Sequence, residues 1–159
     1  MNSPSDSILI ASDHAGFELK EYLKSQFSEK HLFEDLGTLS KESVDYPDYA
    51  DALASRLNSN VSSAKFGILI CGSGVGVCIR ANRYLKVRAV QVWNADIARL
   101  CREHNDANVI CFGERAQSKE DCARYLDIFL STAFLGDNAT EASAIRHLSR
   151  VKKLSAPTK

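Results

Sequence analysis

A chain of 159 residues with 20 Lys+Arg against 20 Asp+Glu has no formal net charge when its four histidines are neutral, which removes the electrostatic footprint that nucleic-acid or anionic-membrane binding requires. Its 45% apolar and 25% charged residues place it with ordinary globular domains and outside the disordered regime. Length and composition fit one domain over residues 1–159, with its core at about 8–151, and five cysteines without a C-x-x-C pair argue against a disulfide framework.

The first seven residues are polar and lack the features of a secretory signal, so a cytoplasmic location is expected. Residues 7–12 form a short apolar run, and Phe17, Leu19, Leu23 and Phe27 follow near helical spacing, which predicts strand then helix. A second short apolar run over 31–36 ends at Gly37. Pro47 suits the start of a helix with Tyr49, Leu53 and Leu57 inward. The run FGILIC at 66–71 is the longest apolar stretch, far short of the roughly 20 residues that span a bilayer, and reads as a strand covered on both faces. Helix is predicted over 78–84, strand over 88–93, and helix over 96–103 with Ile97 and Leu100 inward. A fifth strand over 109–112 precedes a helix from Ser118 with Cys122, Leu126, Phe129 and Leu130 on one side. Gly136-Asp137-Asn138 breaks it, and a last helix covers 140–154. Five strands alternating with helices give an α/β doubly wound, Rossmann-like three-layer domain with a mainly parallel sheet. Ligands in such sheets bind beyond the carboxyl ends of the strands. The sequence assigns Ser12-Asp13-His14, the segment 71–76 and His104-Asn105-Asp106 to that edge.

Cys71-Gly72-Ser73-Gly74-Val75-Gly76 joins a strand to a helix, so its backbone N–H groups can converge on an anion. It satisfies neither the dinucleotide fingerprint, which would need glycine at Val77 or Ile79, nor the phosphate-binding P-loop. A tight turn without a ligand is the bland alternative. Cys71 precedes a helix N-terminus, where a thiolate base or nucleophile is favoured, whereas Cys78, Cys101, Cys111 and Cys122 read as small buried hydrophobes. His104 and His14 are natural proton carriers, although a helix C-terminal histidine also serves the dipole alone. No standard close metal-ligand spacing occurs, so no metal is expected. Arg146 and Arg150, at i and i+4, share a helix face suited to a phosphate monoester or to plain solvation.

Seven segments in order, Ser12-Asp13-His14-Ala15-Gly16, Asp45-Tyr46-Pro47, 71–76, Ala81-Asn82, His104-Asn105-Asp106, Phe112-Gly113-Glu114-Arg115 and Arg146-His147-x-x-Arg150, make the sequence resemble the B-type ribose-5-phosphate isomerases. That sugar-phosphate isomerase group includes galactose-6-phosphate isomerase subunits. The resemblance implies an aldose–ketose isomerase of the non-oxidative pentose phosphate branch that uses no metal or cofactor and works through a cis-enediolate. Carried over by position, Cys71 is the base, Ser73 and His104 open the sugar ring with Asp13 assisting, and the backbone of Gly72, Gly74, Val75 and Gly76 forms the anion hole. Arg115, Arg146 and Arg150 hold the phosphate, and His14, Tyr46 and Asn105 line the sugar. A branch with glutamate after the Gly loop has Val77 here, which matches the cysteine branch instead. The expected partners are a small-molecule sugar phosphate and a second copy of the chain, in a homodimer or tetramer with active sites shared between subunits. The alternatives are a six-carbon aldose 6-phosphate as substrate, a hydrolase with Cys71 as nucleophile and His104 as its base, and a non-catalytic phosphosugar-binding subunit.

Overall fold

Strand β1 (Ile8–Ser12) is buried along its whole length. Its side chains alternate between two cores, Ile8 and Ile10 in one, Leu9 and Ala11 in the other, as a period of two dictates. Strands β3 (Phe66–Cys71) and β5 (Val109–Gly113) repeat the pattern, sending Ile68, Ile70, Ile110 and Phe112 to the first core and Leu69, Cys71, Val109 and Cys111 to the second. With β2 (Phe33–Asp35) and β4 (Ala89–Gln91) at the edges, they form one all-parallel sheet in the order β2-β1-β3-β5-β4. This is the expected doubly wound α/β fold. The structure is a computed structural model that describes residues 7–59, 63–138 and 140–157.

Helices α1 (Phe17–Phe27), α4 (Ala95–Asn105) and α5 (Lys119–Ser131) cover the first face. The second face is covered by α2 (Tyr46–Asn58) and α3 (Val75–Ala81). A single 3-10 turn, Leu135–Asn138, leads to α6 (Ala142–Leu154), which packs on α4. Local chemistry sets the helix starts: Pro47 lies in the first turn of α2, Asn94 accepts the Ile97 N–H at the head of α4, and Ser118 accepts the Asp121 N–H at the head of α5. No described helix is long and apolar enough to cross a membrane.

Three elements differ from expectation. Helix α3 begins at Val75 rather than residue 78, because Gly74 takes a left-handed turn at φ 78° and the helix starts directly after it. Strand β4 pairs only over Ala89–Gln91 instead of 88–93, since an edge strand has one neighbour to hold it. The inward stripe of α4 is Ala98, Cys101 and Arg102, with the expected Ile97 and Leu100 only partly buried. Arg102 is tolerated there because its guanidinium lies over the Phe66 and Phe129 rings and donates to Asp106 and Ala107.

Neighbouring β1 and β3 send their chains to opposite faces, α1 on the first and α3 on the second, which opens a crevice between their carboxyl ends. A partly buried ionic cluster braces the β1 and β2 side of it. Lys20 is fully buried and donates to Asp35 and Glu21, while Lys24 reaches the same two carboxylates. Asp35 also accepts the Gly37 N–H at 2.9 Å, and the stretch beyond it exchanges backbone hydrogen bonds with Ser12, Ser12 N to Gly37 O and Thr38 N to Ser12 O. The end of β1, which carries Asp13, is thereby tied to the exit of β2.

Burial alone would raise the Asp35 carboxyl, but hydrogen bonds from Lys20, Lys24 and Gly37 outweigh it and hold the group below its ordinary value. Its stabilising contribution is therefore complete above the unfolded-state carboxyl value and disappears as the pH falls through the depressed one. Asp35→Ala leaves the Lys20 ammonium buried without its main partner, so unfolding in urea at neutral pH should show a loss of about 3–5 kcal/mol. A loss below ~1 kcal/mol, the scale of an exposed pair, would mean that Glu21, which Lys20 already contacts at 2.9 Å, suffices to hold the ammonium in the variant.

Candidate active site

At the crevice mouth, β3 ends in Cys71 and the chain turns over Gly72-Ser73-Gly74 into α3. The Cys71 side chain is on the α2/α3 side of the sheet and is 4% exposed. Its Sγ accepts the Gly74 N–H at 3.1 Å, so the turn that starts the helix also points a donor at the sulfur. Only glycine serves at residue 74, because φ is 78° and a Cβ would lie 2.8 Å from the Phe112 carbonyl carbon. The Ser73 Oγ accepts the Val75 N–H at 3.3 Å, and the Ser73 carbonyl is held by Gln91 Nε2 at 2.6 Å.

The loop after β5 docks on this turn through Glu114 N–H to Cys71 O and Arg115 N–H to Gly72 O, each 3.0 Å. That brings the Arg115 guanidinium against Gly72, where a Cβ would meet Nη1 at 3.1 Å. Across the crevice Asp13 is 6% exposed, and its Oδ1 accepts the Gly16 N–H at 3.0 Å. Tyr46 closes the side from the first residue of α2, its ring against Gly76. A cavity of about 590 Å³ results. Asp13, Tyr46, Cys71, Gly72, Ser73, Val75, Gly76 and Arg115 therefore stand around one cradle, with Gly74 capping the helix at its base. His14 follows Asp13, but its Nδ1 lies 3.2 Å from both the Val44 carbonyl oxygen and the Val44 nitrogen, and it is not among the residues that line the cavity.

The other four residues lie elsewhere. His104 and Asn105 end α4, which has returned antiparallel to the strands, so they precede β5 at the amino edge. Asn108, three residues on, accepts from Gly67 N–H, the second residue of β3. Gly67 and Cys71 are four residues apart on β3, about 13 Å at ~3.3 Å per residue, so the expected placement of His104-Asn105-Asp106 beside Cys71 fails within one chain. Arg146 and Arg150 are exposed on α6, which belongs to the same amino-edge group. The His147 ring stacks on His104 with centroids 4.3 Å apart and planes at 3°. Desolvation, then the neighbouring His104, Arg150 and Arg146 charges, hold His147 below its ordinary value. The chain thus carries a thiol-and-glycine cradle at one edge and an imidazole-and-guanidinium cluster at the other.

Four thiols fit the bland reading to different degrees. Burial raises Cys101 to about 11 and Cys122 to about 12, and pushes Cys111 well up. Cys78 is only partly buried and lies below its ordinary value through its hydrogen bond with Cys111, against the opposing effect of burial. Two further residues serve the cradle beyond those expected: Gln91, whose side chain crosses the end of β5 to hold Ser73, and Ile79, which adds an apolar wall. A polar residue on an otherwise apolar strand was the signal for Gln91.

The family model described as Ribose/Galactose Isomerase matches residues 8–154. Ribose-5-phosphate isomerase B of Escherichia coli is 36% identical over 150 residues, with 94% of each chain covered. Among solved structures, a ribose 5-phosphate isomerase from Thermotoga maritima is similar at a TM-score of 0.84 and 44% identity, covering 95% of this chain and 98% of that one. Ribose-5-phosphate isomerase B from Mycoplasma genitalium with bound ribulose-5-phosphate is similar at a TM-score of 0.84 and 34% identity over 96% of each chain.

Proposed function

The chain belongs to the ribose/galactose isomerase family, and from that membership we propose that it interconverts D-ribose 5-phosphate and D-ribulose 5-phosphate, with Cys71 as the base, in the non-oxidative pentose phosphate branch. The observation that carries this reading is the Cys71 sulfur, set at the foot of a cradle whose Gly74 N–H already points at it from 3.1 Å. The thiolate takes the proton from C2 of the open-chain aldose, and the electron pair of that bond forms the C1–C2 double bond as charge moves to the C1 oxygen. Backbone N–H groups of residues 72–76 stabilise the enediolate where its charge develops. A proton passes between the two oxygens, the thiol returns its proton to C1, and the C2 carbonyl of the ketose remains. Ser73 and His104, with Asp13 assisting, open the furanose ring first, and Tyr46 and Asn105 flank the sugar.

This assignment needs His104, Asn105, Arg146 and Arg150 at the cradle, and within one chain they stand at the opposite edge of the sheet. A second copy of the chain supplies them, in a homodimer whose sites each draw on both subunits. Arg115 is the cation on the cradle wall of the same chain, and the paired guanidiniums from the partner complete a grip on the phosphate dianion.

The direct test follows ketose formation from ribose 5-phosphate in a chelator-treated solution of D₂O, together with deuterium entering the product carbon. Turnover with deuterium incorporation supports the enediolate route; no turnover, or turnover only with a six-carbon aldose 6-phosphate, would overturn the substrate. Phosphate contacts hold substrate and transition state alike, so Arg150→Ala should raise KM about tenfold, the scale of one charge-assisted contact of ~1.4 kcal/mol, with little change in kcat. An unchanged KM removes Arg150 from the phosphate set.

A further inference from the structure

Every nitrogen of the Arg88 guanidinium is engaged. Nε donates to the Asp106 carbonyl oxygen at 2.7 Å, Nη2 to the Asp106 carboxylate at 2.7 Å, and Nη1 to the Ser155 hydroxyl at 3.1 Å. Asp106 caps α4 in a left-handed conformation at φ 46°, and its second carboxylate oxygen accepts Arg102 Nη1 at 2.8 Å. Ser155 caps α6. Arg88 therefore joins the ends of the two helices that carry the amino-edge cluster. It does so from a partly buried position, its side chain 17% exposed, just ahead of β4.

We propose that Arg88 is the positioning residue of that cluster: its guanidinium, through Asp106 and Ser155, holds His104 and Asn105 on α4 in register with Arg146 and Arg150 on α6. The inference rests on the two-copy reading of the site, in which this cluster is what one subunit presents to the other's cradle. Its physical basis is the geometry of the fork. A planar guanidinium makes three directed bonds at once, which an ammonium cannot reproduce. The stacked imidazoles of His104 and His147 report whether the two helices stay in register.

Arg88→Gln removes the charge and two of the three bonds, and Ser155→Ala severs only the α6 arm from a surface cap far from the cradle. Two readouts are taken on each folded variant: the NMR titration of the His104 and His147 imidazoles, and steady-state kinetics with ribose 5-phosphate. The proposal expects the His147 midpoint to rise part of the way toward the ordinary histidine value as α6 separates from α4, because separation relieves its burial and the His104 charge, while Arg146 and Arg150 stay beside it on α6. It also expects KM to rise roughly tenfold in Arg88→Gln and about twofold to threefold in Ser155→Ala, with kcat less affected. Arg88→Lys should recover only part of either effect. Should Arg88→Gln fail to fold, Ser155→Ala decides on the same two readouts. Unchanged titration and unchanged KM in a folded variant overturn the proposal, as does a shifted titration with unchanged KM. Arg150→Ala separates the two layers. A raised KM there with none in Arg88→Gln defeats the positioning role alone, and an unchanged KM in Arg150→Ala removes Arg150 from the phosphate set that the positioning role serves.

Discussion

Cys71→Ala should lower kcat for ribose 5-phosphate by about 10²–10⁴, the range a positioned base contributes, while a non-isomerisable sugar phosphate binds with nearly its original affinity. The base acts only in the chemical step, so its removal leaves ground-state contacts with phosphate and sugar in place. The substitution is also gentle on the fold. Cys71 lies at the end of its strand, where it is 4% exposed, and loses a single sulfur that faces the cradle. Calorimetric titration with the reduced sugar alcohol phosphate, beside a ketose assay, measures both halves of the expectation. Turnover within tenfold of the parent would remove Cys71 from the chemical step and direct attention to Asp13, the carboxylate of the cradle.

Mixing two inactive variants should restore activity. Cys71→Ala lacks the base of the cradle, and His104→Ala lacks the imidazole of the opposite edge. In a dimer with one copy of each, one site combines both defects, and the other draws an intact cradle from one chain and an intact cluster from the other. Random reassociation then returns about a quarter of the parent activity, because half of the dimers are mixed and each has one sound site of two in an isologous pair. Co-refolding the variants, with ketose production as the readout, makes the comparison. A site built wholly within one chain yields no recovery, since each chain keeps its own defect, and that result would end the shared-site reading.

Much of this arrangement is visible in the residues themselves. FGILIC announces a central strand because a strand covered on both faces has no polar face to show, and Ile68, Leu69 and Ile70 are fully buried. The glycines at 72, 74 and 76 announce the turn, and Arg115 joins it through a loop that backbone bonds fasten to Cys71 and Gly72. The position of His104 was harder to read. Periodicity finds a helix after β4 but does not say where its end arrives; 11 residues at ~1.5 Å each carry the chain back about 16 Å, the full depth of the sheet. The start of α3 is hidden for a related reason. Apolar spacing is silent over Gly74-Val75-Gly76, where backbone conformation alone decides. Buried Lys20 was not legible either, because its partner Asp35 is 15 residues away and on another element.

The separation of Cys71 and His104 across the depth of the sheet has a kinetic and thermodynamic corollary. When two copies build each site, turnover per chain depends on protein concentration and falls on dilution as the assembly dissociates. A substrate that touches both chains must then strengthen their association by the same factor by which association strengthens its own binding. Sugar phosphate thus becomes a cohesive agent for the enzyme that consumes it, and a dilute sample regains specific activity as its substrate is raised.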